Sequence, residues 1–405
     1  MENSNLCYRC KGKGLCGKKC KILSAIKSFM PKPKKEFSGS APDIFVGRYD
    51  YPNVFTGILS PEGFGETERL TMPELWYEEG ASIEQILAYR TSLIYSRFSA
   101  RVNSYSQGNR LKEVMQEVAM AKKPVLTEFK LKREPYLRFR MDLHVPLIAN
   151  PAPLEKARLT ENSKVETKMD YLVSDNDAKA VDSVLELYKN RIAVSNIIKV
   201  FSSGLLGLKN QRRLVPSRWS ITAIDDITSK FLLEKIKYYQ EISKFMLFHA
   251  EYLGNHYEII LLPEKFEFEV IEAKMPGSVW NPSFEAETYI SKDYESFFGR
   301  KEYAGNVTGA YYSNRLAVSE FLEKIKRQAG VLVLRECREE YYSPCGVGIL
   351  REVSRDAFNK KAEGFSTLRE ALSNAQSRMK MPITIFEKNS KIIQNYGKQK
   401  KLWDF

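Results

Sequence analysis

Histidine is scarce in this chain: among 405 residues there are three, His144, His249 and His256. Acid–base or metal chemistry built from several imidazoles is therefore disfavoured. The chain also lacks a Walker-type loop and the dinucleotide pattern G-x-G-x-x-G, which excludes the common glycine-rich phosphate cradles. It has no run of about 20 apolar residues and no secretion signal, so we expect a cytoplasmic protein with no membrane contact.

An acidic surplus is also missing, because the net charge is +13. Residues 1–35 hold ten Lys and Arg against Glu2 alone, giving +9, and residues 386–405 carry a further +3. The long body between them therefore carries only +1. The basic ends predict attraction to a polyanion, although lysine-rich ends that only maintain solubility would give the same distribution.

Four of the six cysteines fall within the first twenty residues, spaced C-x2-C-x5-C-x3-C. They are Cys7, Cys10, Cys16 and Cys20. Two close pairs of thiols can converge on one ion, and Zn²⁺ with four thiolates is the usual result in a reducing compartment. The spacing predicts a small structural zinc knuckle; an iron–sulfur cluster or disulfide pairing are the alternatives.

Two basic features near the N-terminal half suit nucleic-acid phosphates. The knuckle carries Lys11, Lys13, Lys18 and Lys19. In "VLTEFKLKREPYLRFRMDLHV", apolar and polar residues alternate in two runs, which predicts a hairpin with Arg138 and Arg140 on a basic face. A face that is simply solvated would show the same pattern.

The chain is long enough for two globular domains, since 43% of its residues are hydrophobic and 12% aromatic. Mixed helical and strand periodicities predict an α+β fold. We predict a basic four-cysteine zinc-binding module and linker over residues 1–35, α+β domains over 36–199 and 200–385, and a flexible basic tail over 386–405. The Pro- and Lys-rich stretch 30–43 is read as a linker.

Two local predictions concern helices. "SIEQILAYRTSLIYSRFSARV" (residues 82–102) has apolar residues at helical spacing and predicts one amphipathic helix with its arginines in solvent. Thr367 and Glu370 form a capping-box pattern at the start of another helix.

The segment "QRRLVPSRWSITAIDD" (residues 211–226) is the strongest candidate for a phosphate or nucleotide site. Guanidinium groups beside small hydroxyls suit a phosphate, and neighbouring carboxylates can hold Mg²⁺ or Mn²⁺. The candidate residues are Arg212, Arg213, Ser217, Arg218, Ser220, Asp225, Asp226 and Lys230. Alternatively, Asp225 and Asp226 cap a helix that begins near Thr228.

A second candidate lies at the end of "KFEFEVIEAK", read as the second strand of a hairpin. Glu272-x-Lys274 is half of a restriction-type nuclease site, with Glu258 or Glu267 as the second carboxylate. The motif recurs by chance at strand ends. Cys337 and Cys345, across a predicted turn, could bind metal or form a bridge, but half-buried thiols are the simpler interpretation.

Several stretches together resemble the archaeal Nre DNA-repair proteins. These are "GSAPDIFVGRYDYPNVFTGILSP", "PAPLEKARLTENSKVETKMDYLVSD", "SGLLGLKNQRRLVPSRWSITAIDD", "EYLGNHYEIILLP", "MPGSVW" and "GAYYSNRLAV". The resemblance implies a DNA-repair factor of archaeal cells, nucleoid-associated, with an N-terminal zinc module and a C-terminal motif for the sliding clamp PCNA. It implies no particular catalytic mechanism, and where the family has a tryptophan before "PGSVW" this chain has Lys274-Met275.

The last residues, "QKKLWDF", resemble the clamp-interacting motif, shortened by the chain end. Gln399, Leu402 and Phe405 are spaced three apart, so one helical turn places them on one side, with Trp403 on the flank. A tail that docks on its own domain is the alternative. The sequence thus leaves open a DNA-binding adaptor, a metal-dependent nuclease or another DNA-processing enzyme.

Overall fold

A computed structural model describes residues 31–32, 34–103, 109–136, 145–148, 150–281 and 287–397 of the protein. The described chain forms two compact units. The first unit comprises residues 31–228 and 344–349, and the second comprises 229–343 and 350–397. The predictions that lie outside the described residues are those for Cys7, Cys10, Cys16, Cys20, Lys11, Lys13, Lys18, Lys19, Arg138, Arg140, Gln399, Leu402, Trp403 and Phe405.

The first unit is built on a six-stranded sheet in the order β1-β5-β6-β4-β3-β2. The strands are β1 Glu36–Ala41, β2 Asp43–Val46, β3 Asn53–Pro61, β4 Leu93–Arg101, β5 Val125–Leu131 and β6 Pro151–Leu159. β4 and β6 are parallel, and the other pairs are antiparallel. Burial alternates along β5, as the sequence pattern predicts for a strand with one face on a core.

Helices complete the first unit. They are α1 Pro73–Glu78, α2 Ile83–Thr91, α3 Arg110–Met120, α4 Thr167–Ser174, α5 Ala180–Lys189, α6 Val194–Ser202 and the first part of α7, Ser217–Ile236. The apolar side of α3 packs Val114, Met115 and Val118 against one face of the sheet, where Val54 and Ile58 are also buried. The apolar residues of α3 recur at helical spacing, and the sheet face that they cover forms the core of the first unit.

Two segments of the first unit differ from their sequence predictions. Residues 82–102 are not one helix, because α2 ends at Thr91 and the chain continues as β4. Apolar side chains such as Ile94 and Phe98 satisfy both a helical and an alternating pattern, and pairing with β3 selects the strand. The stretch 30–43, predicted to be a linker, contains strand β1, which pairs with β5. The Phe37 ring of β1 stacks on the Phe129 ring of β5 at a centroid distance of 4.6 Å.

Arg90 was predicted to face solvent but is buried, with Nε donating to the carbonyl of Leu147 at 2.9 Å. Burial lowers the pKa of Arg90 to about 10, and the nearby carboxyl of Asp43 opposes this effect. The Arg90 guanidinium therefore has a structural role, because it joins α2 to the backbone at Leu147.

The second unit contains another six-stranded sheet, in the order β10-β9-β11-β8-β7-β12. Its strands are β7 Phe245–Tyr252, β8 Asn255–Leu262, β9 Glu267–Lys274, β10 Tyr289–Glu295, β11 Gly330–Cys337 and β12 Glu363–Phe365. β11 lies between β8 and β9, antiparallel to the first and parallel to the second. The predicted hairpin of β8 and β9 is therefore wrong, since a strand from much later in the chain separates them.

Helices cover both faces of this second sheet. They are α8 Gly309–Ile325, α9 Val347–Asn359, α10 Leu368–Gln376, α11 Ile383–Asn389 and α12 Lys391–Asn395. On one face Leu332 and Leu334 share a core with Leu372 of α10. The predicted capping box is confirmed, because the side chains of Thr367 and Glu370 each accept a hydrogen bond from the other's backbone N–H.

The predicted α+β class is confirmed by these two mixed units. The compact units separate at residues 228 and 229, within α7. The domain ranges 36–199 and 200–385 remain predictions about parts that fold independently. The flexible tail predicted over 386–405 does not begin at residue 386, because α11 and α12 extend to Asn395 and bury Phe386 and Ile392 in the core of the second unit. Within the described parts of the chain, no helix has the length and apolar character needed to cross a membrane.

Candidate functional site

The segment 211–226, selected from the sequence, borders a cavity of about 350 Å³ in the first unit. It runs from a 3-10 turn at Lys209–Gln211 into the start of α7. The lining side chains include Tyr51, Lys179, Phe201, Leu206, Gln211, Arg213, Leu214 and Trp219. The cavity thus combines two cations, one amide and two half-exposed aromatic rings with an apolar base.

The two half-exposed rings are those of Tyr51 and Trp219. Tyr51 is 47% exposed and Trp219 is 46% exposed, and their ring centroids lie 5.4 Å apart. Tyr51 belongs to the turn between β2 and β3, which the hydrogen bond from Gly47 N to Phe55 O closes at 2.8 Å. Trp219 lies in the first turn of α7, where its backbone N–H donates to the carbonyl of Pro216. Such rings can stack on a nucleobase.

Arg212 and Arg213 are adjacent in sequence but have different surroundings. The Arg212 guanidinium donates to three backbone carbonyls, those of Gly207 and Val173 at 2.8 Å and that of Asp175. It therefore ties two loops together. Arg213 lines the cavity and is the arginine of this pair that is placed to meet a phosphate there.

The two predicted hydroxyl ligands are engaged within the protein. Ser217 Oγ accepts from Val46 N at 3.0 Å and lies 3.2 Å from Ser202 Oγ. Ser220 Oγ donates to the carbonyls of Val215 and Pro216. Neither serine belongs to the cavity lining. Their hydroxyls anchor the start of α7, so the structure does not bring them to the cavity with Arg213.

Arg218, Asp225, Asp226 and Lys230 all lie along α7. The helix begins at Ser217, so the two aspartates do not cap a helix starting near Thr228. Successive helical residues point in different directions, and only Asp225 of the pair is fully buried. The two aspartates are therefore not arranged as adjacent ligands of one ion. Arg218, Asp225, Asp226 and Lys230 all have interaction partners within the chain. Across the described residues, no group of three or more His, Cys, Asp or Glu could hold a metal.

Glu272 is a buried ion-pair residue in the second unit. It pairs with Arg335, whose Nε also donates to Asn255 Oδ1 at 3.2 Å. Lys274 Nζ lies 3.9 Å from Glu272 Oε2 and donates to Ser291 Oγ at 2.7 Å. Both members of the E-x-K pattern are thus on one face of the sheet.

The predicted second carboxylate is on the other face. Glu272 is opposite Arg335 of β11, whereas Glu258 is opposite Leu334 and Glu267 is opposite Gly330. Neighbouring positions on a strand point to opposite faces, so neither glutamate can join Glu272. Glu258 instead accepts two hydrogen bonds from Arg378, each 2.9 Å long. The nuclease constellation predicted from the sequence is therefore not assembled.

Neither Cys337 nor Cys345 forms a disulfide, and both thiols are fully buried rather than half-buried. They lie in different compact units. Burial raises the pKa of Cys337 to about 11 and also raises that of Cys345. Both act as small apolar groups, as the simpler interpretation predicted.

Sequence reasoning missed Tyr51, Lys179 and Trp219. Trp219 lies inside the selected segment 211–226, but the sequence analysis did not count it among the candidate residues. Tyr51 and Lys179 are far from the segment in sequence, and only the fold brings them to the same cavity.

Fold and cavity together define the class: a two-unit α+β protein with a cationic pocket flanked by exposed aromatic rings. Family models for archaeal Nre, N-terminal, and archaeal Nre, C-terminal, match residues 15–281 and 295–405. The chain belongs to the archaeal Nre family, as the sequence resemblance predicted.

Curated relatives are similar over nearly the whole chain. The chain is 36% identical over 375 residues to DNA repair protein NreA of Haloferax volcanii, covering 91% of this chain and 88% of the relative. It is 33% identical over 400 residues to DNA repair protein NreB of Archaeoglobus fulgidus, covering 98% and 99%. No solved structure matches the chain.

Proposed function

We propose that this protein is a DNA-repair factor that binds DNA and is recruited to the sliding clamp PCNA by its C-terminal residues. Family membership supports the repair role, since relatives at 33–36% identity are named DNA repair proteins. The observation that carries DNA binding is the cavity of the first unit, where Arg213 and Lys179 lie with the exposed rings of Tyr51 and Trp219.

The chemistry of this cavity suits one nucleotide of a DNA strand. Arg213 and Lys179 supply positive charge for a phosphate, and the fork of an arginine can bond two phosphate oxygens at once. Tyr51 and Trp219 offer ring faces on which a base can stack. We propose that the phosphate or nucleotide site lies in this cavity and that Arg213 is its main ligand. Arg212, Ser217 and Ser220, which the sequence also suggested, do not line the cavity.

Replacing Arg213 with alanine should weaken DNA binding about tenfold. It should also make the slope of log K against log salt concentration shallower, by the amount expected for the loss of about one phosphate contact. Fluorescence anisotropy with labelled DNA over a salt series measures both quantities. Arg369→Ala is the matched control, because Arg369 is an exposed arginine on α10 in the second unit. Equal affinities for the two variants, with unchanged melting temperatures, would remove the cavity from the DNA-binding surface.

We further propose that Cys7, Cys10, Cys16 and Cys20 hold one structural Zn²⁺. Four thiolates form a closed site that orders the segment around them, and the surrounding lysines add positive charge for DNA. Metal analysis of purified protein should give about one zinc per chain, and Cys10→Ser should lose it. Protein that is reduced, intact and zinc-free would contradict the assignment.

Clamp recruitment rests on Gln399, Leu402 and Phe405, with Trp403 beside them. The two apolar anchors would fill one pocket of the clamp, and the neighbouring lysines would speed encounter with an acidic rim. In this proposal the tail supplies location, whereas the first unit supplies contact with DNA.

A further inference from the structure

We propose that a second surface of the first unit, formed by Phe55, Arg97, Arg133 and Tyr136, binds single-stranded DNA by stacking its bases. We call these four residues the aromatic–arginine surface. The inference rests on the proposed DNA binding and adds the preferred form of the DNA. None of the four residues belongs to the cavity lining around Arg213.

The fold brings the four residues into one continuous surface. Phe55 on β3 is opposite Ser99, and Arg97 is opposite Gly57, so Phe55 and Arg97 lie on the same sheet face. The Arg97 guanidinium carbon lies 4.3 Å from the Phe55 ring centroid. Arg97 Nη2 is 3.5 Å from the Tyr136 hydroxyl oxygen, to which it donates, and Arg133 lies 6.0 Å from the Tyr136 ring centroid.

Exposure and charge both favour an anionic, aromatic ligand. Phe55 is 42% exposed and Tyr136 is 38% exposed. Among the described residues, neither Arg97 nor Arg133 has a carboxylate within 4 Å. On β5, the strand that precedes Arg133 in the chain, Lys130 by contrast pairs with Glu155 of β6. Within this part of the chain, the positive charge of both guanidinium groups is therefore not offset by a carboxylate, and its position beside the exposed rings suits a phosphate.

The strand that carries Phe55 is held in place by other residues. Val54 and Ile58 are buried in the core on the opposite face of β3. Tyr95 donates its hydroxyl to the Phe55 carbonyl at 2.9 Å. The Phe55 side chain is thus presented on an ordered strand without serving the core, which is the arrangement expected of a binding residue.

A glycine lies next to Phe55 on the same face of β3. Gly57 is two residues along the same face, and a Cβ there would lie 2.0 Å from the backbone oxygen of Ser96. The backbones of β3 and β4 therefore approach closely at this point, and a side chain there would require the backbone to shift. Flat aromatic and guanidinium groups can stack on unpaired bases, whereas a duplex hides its base faces within its own stack. The expected ligand is therefore single-stranded.

The test compares full-length Phe55→Ala with full-length Phe64→Ala. Phe64 is an exposed phenylalanine of the same unit, at 69%, and serves as the matched control. Binding to fluorescein-labelled oligo-dT of about 16 nucleotides should weaken about tenfold in Phe55→Ala and stay unchanged in Phe64→Ala. Binding to a duplex of the same length should be equal for both variants. Phe55→Trp, which keeps a stacking ring, should retain the wild-type affinity.

The outcomes separate this inference from the proposed function. Wild-type protein that binds neither form of DNA would overturn the proposed function itself. Wild-type protein that binds DNA, with equal oligo-dT affinities for Phe55→Ala and Phe64→Ala, would overturn only the aromatic–arginine surface. A lowered melting temperature in Phe55→Ala together with an equal loss of both DNA forms would assign Phe55 to packing, and would also overturn the inference.

Discussion

Replacing Leu402 and Phe405 together with alanine should weaken binding to the sliding clamp by at least about 100-fold. In the proposed recruitment, a helical turn in the bound tail would place both side chains on one side, where they would act as paired apolar anchors. Truncating one central anchor of an interface costs about 2 kcal/mol or more, and here both are removed. Isothermal titration calorimetry of the full chain against the clamp measures the loss directly.

Trp403→Ala is the matched control, because it removes a larger ring from the flank of the same segment. We expect a smaller effect than for the double variant. Clamp affinity that is unchanged in the double variant would refute the tail assignment. If the melting temperature falls instead while clamp binding persists, Leu402 and Phe405 dock on the protein's own surface.

Replacing Glu272 with alanine should lower the free energy of unfolding of the second unit by about 3–5 kcal/mol. Glu272 is 3% exposed and Arg335 is 2% exposed, so the substitution leaves a guanidinium buried without its carboxylate. Asn255 still accepts from Arg335 but carries no compensating charge. Chemical denaturation, with hydrogen exchange at the amides of β9 and β11, assigns the effect to the second unit.

A double variant tests the reason for that loss. Glu272→Met combined with Arg335→Met removes both charges and should recover most of the stability, because an apolar pair can replace a buried ion pair at little cost. A Glu272→Ala effect below about 1 kcal/mol would mean that the guanidinium reaches solvent. DNA binding should be the same in all these variants, since Glu272 has a structural role in this account.

Local sequence patterns predicted the elements whose signals are local. The alternation along Val125–Leu131 and the capping box at Thr367 and Glu370 both depend on neighbouring residues, and the structure contains both. β4 was missed because its apolar residues fit two periods, and pairing with β3 decides between them. The position of β11 between β8 and β9 depends on long-range pairing that no local pattern contains.

The sequence selected a segment that borders a cavity, but most of the residues that it selected do not line that cavity. The arginine-rich segment 211–226 does border a cavity. However, backbone direction decides that Arg213 lines the cavity while Arg212 bonds carbonyls, and residue type alone carries no such information. The contact between Phe55 and Arg97 was likewise out of reach, because it depends on the register of β3 and β4.

We propose that one chain holds DNA and the clamp at the same time. The most direct test measures its affinity for primed DNA with a loaded clamp, for the same DNA alone and for the clamp alone. Simultaneous contacts should make the first affinity at least about 100-fold tighter than either of the others. An affinity for clamp-loaded DNA no tighter than the better of the two separate affinities would contradict the claim.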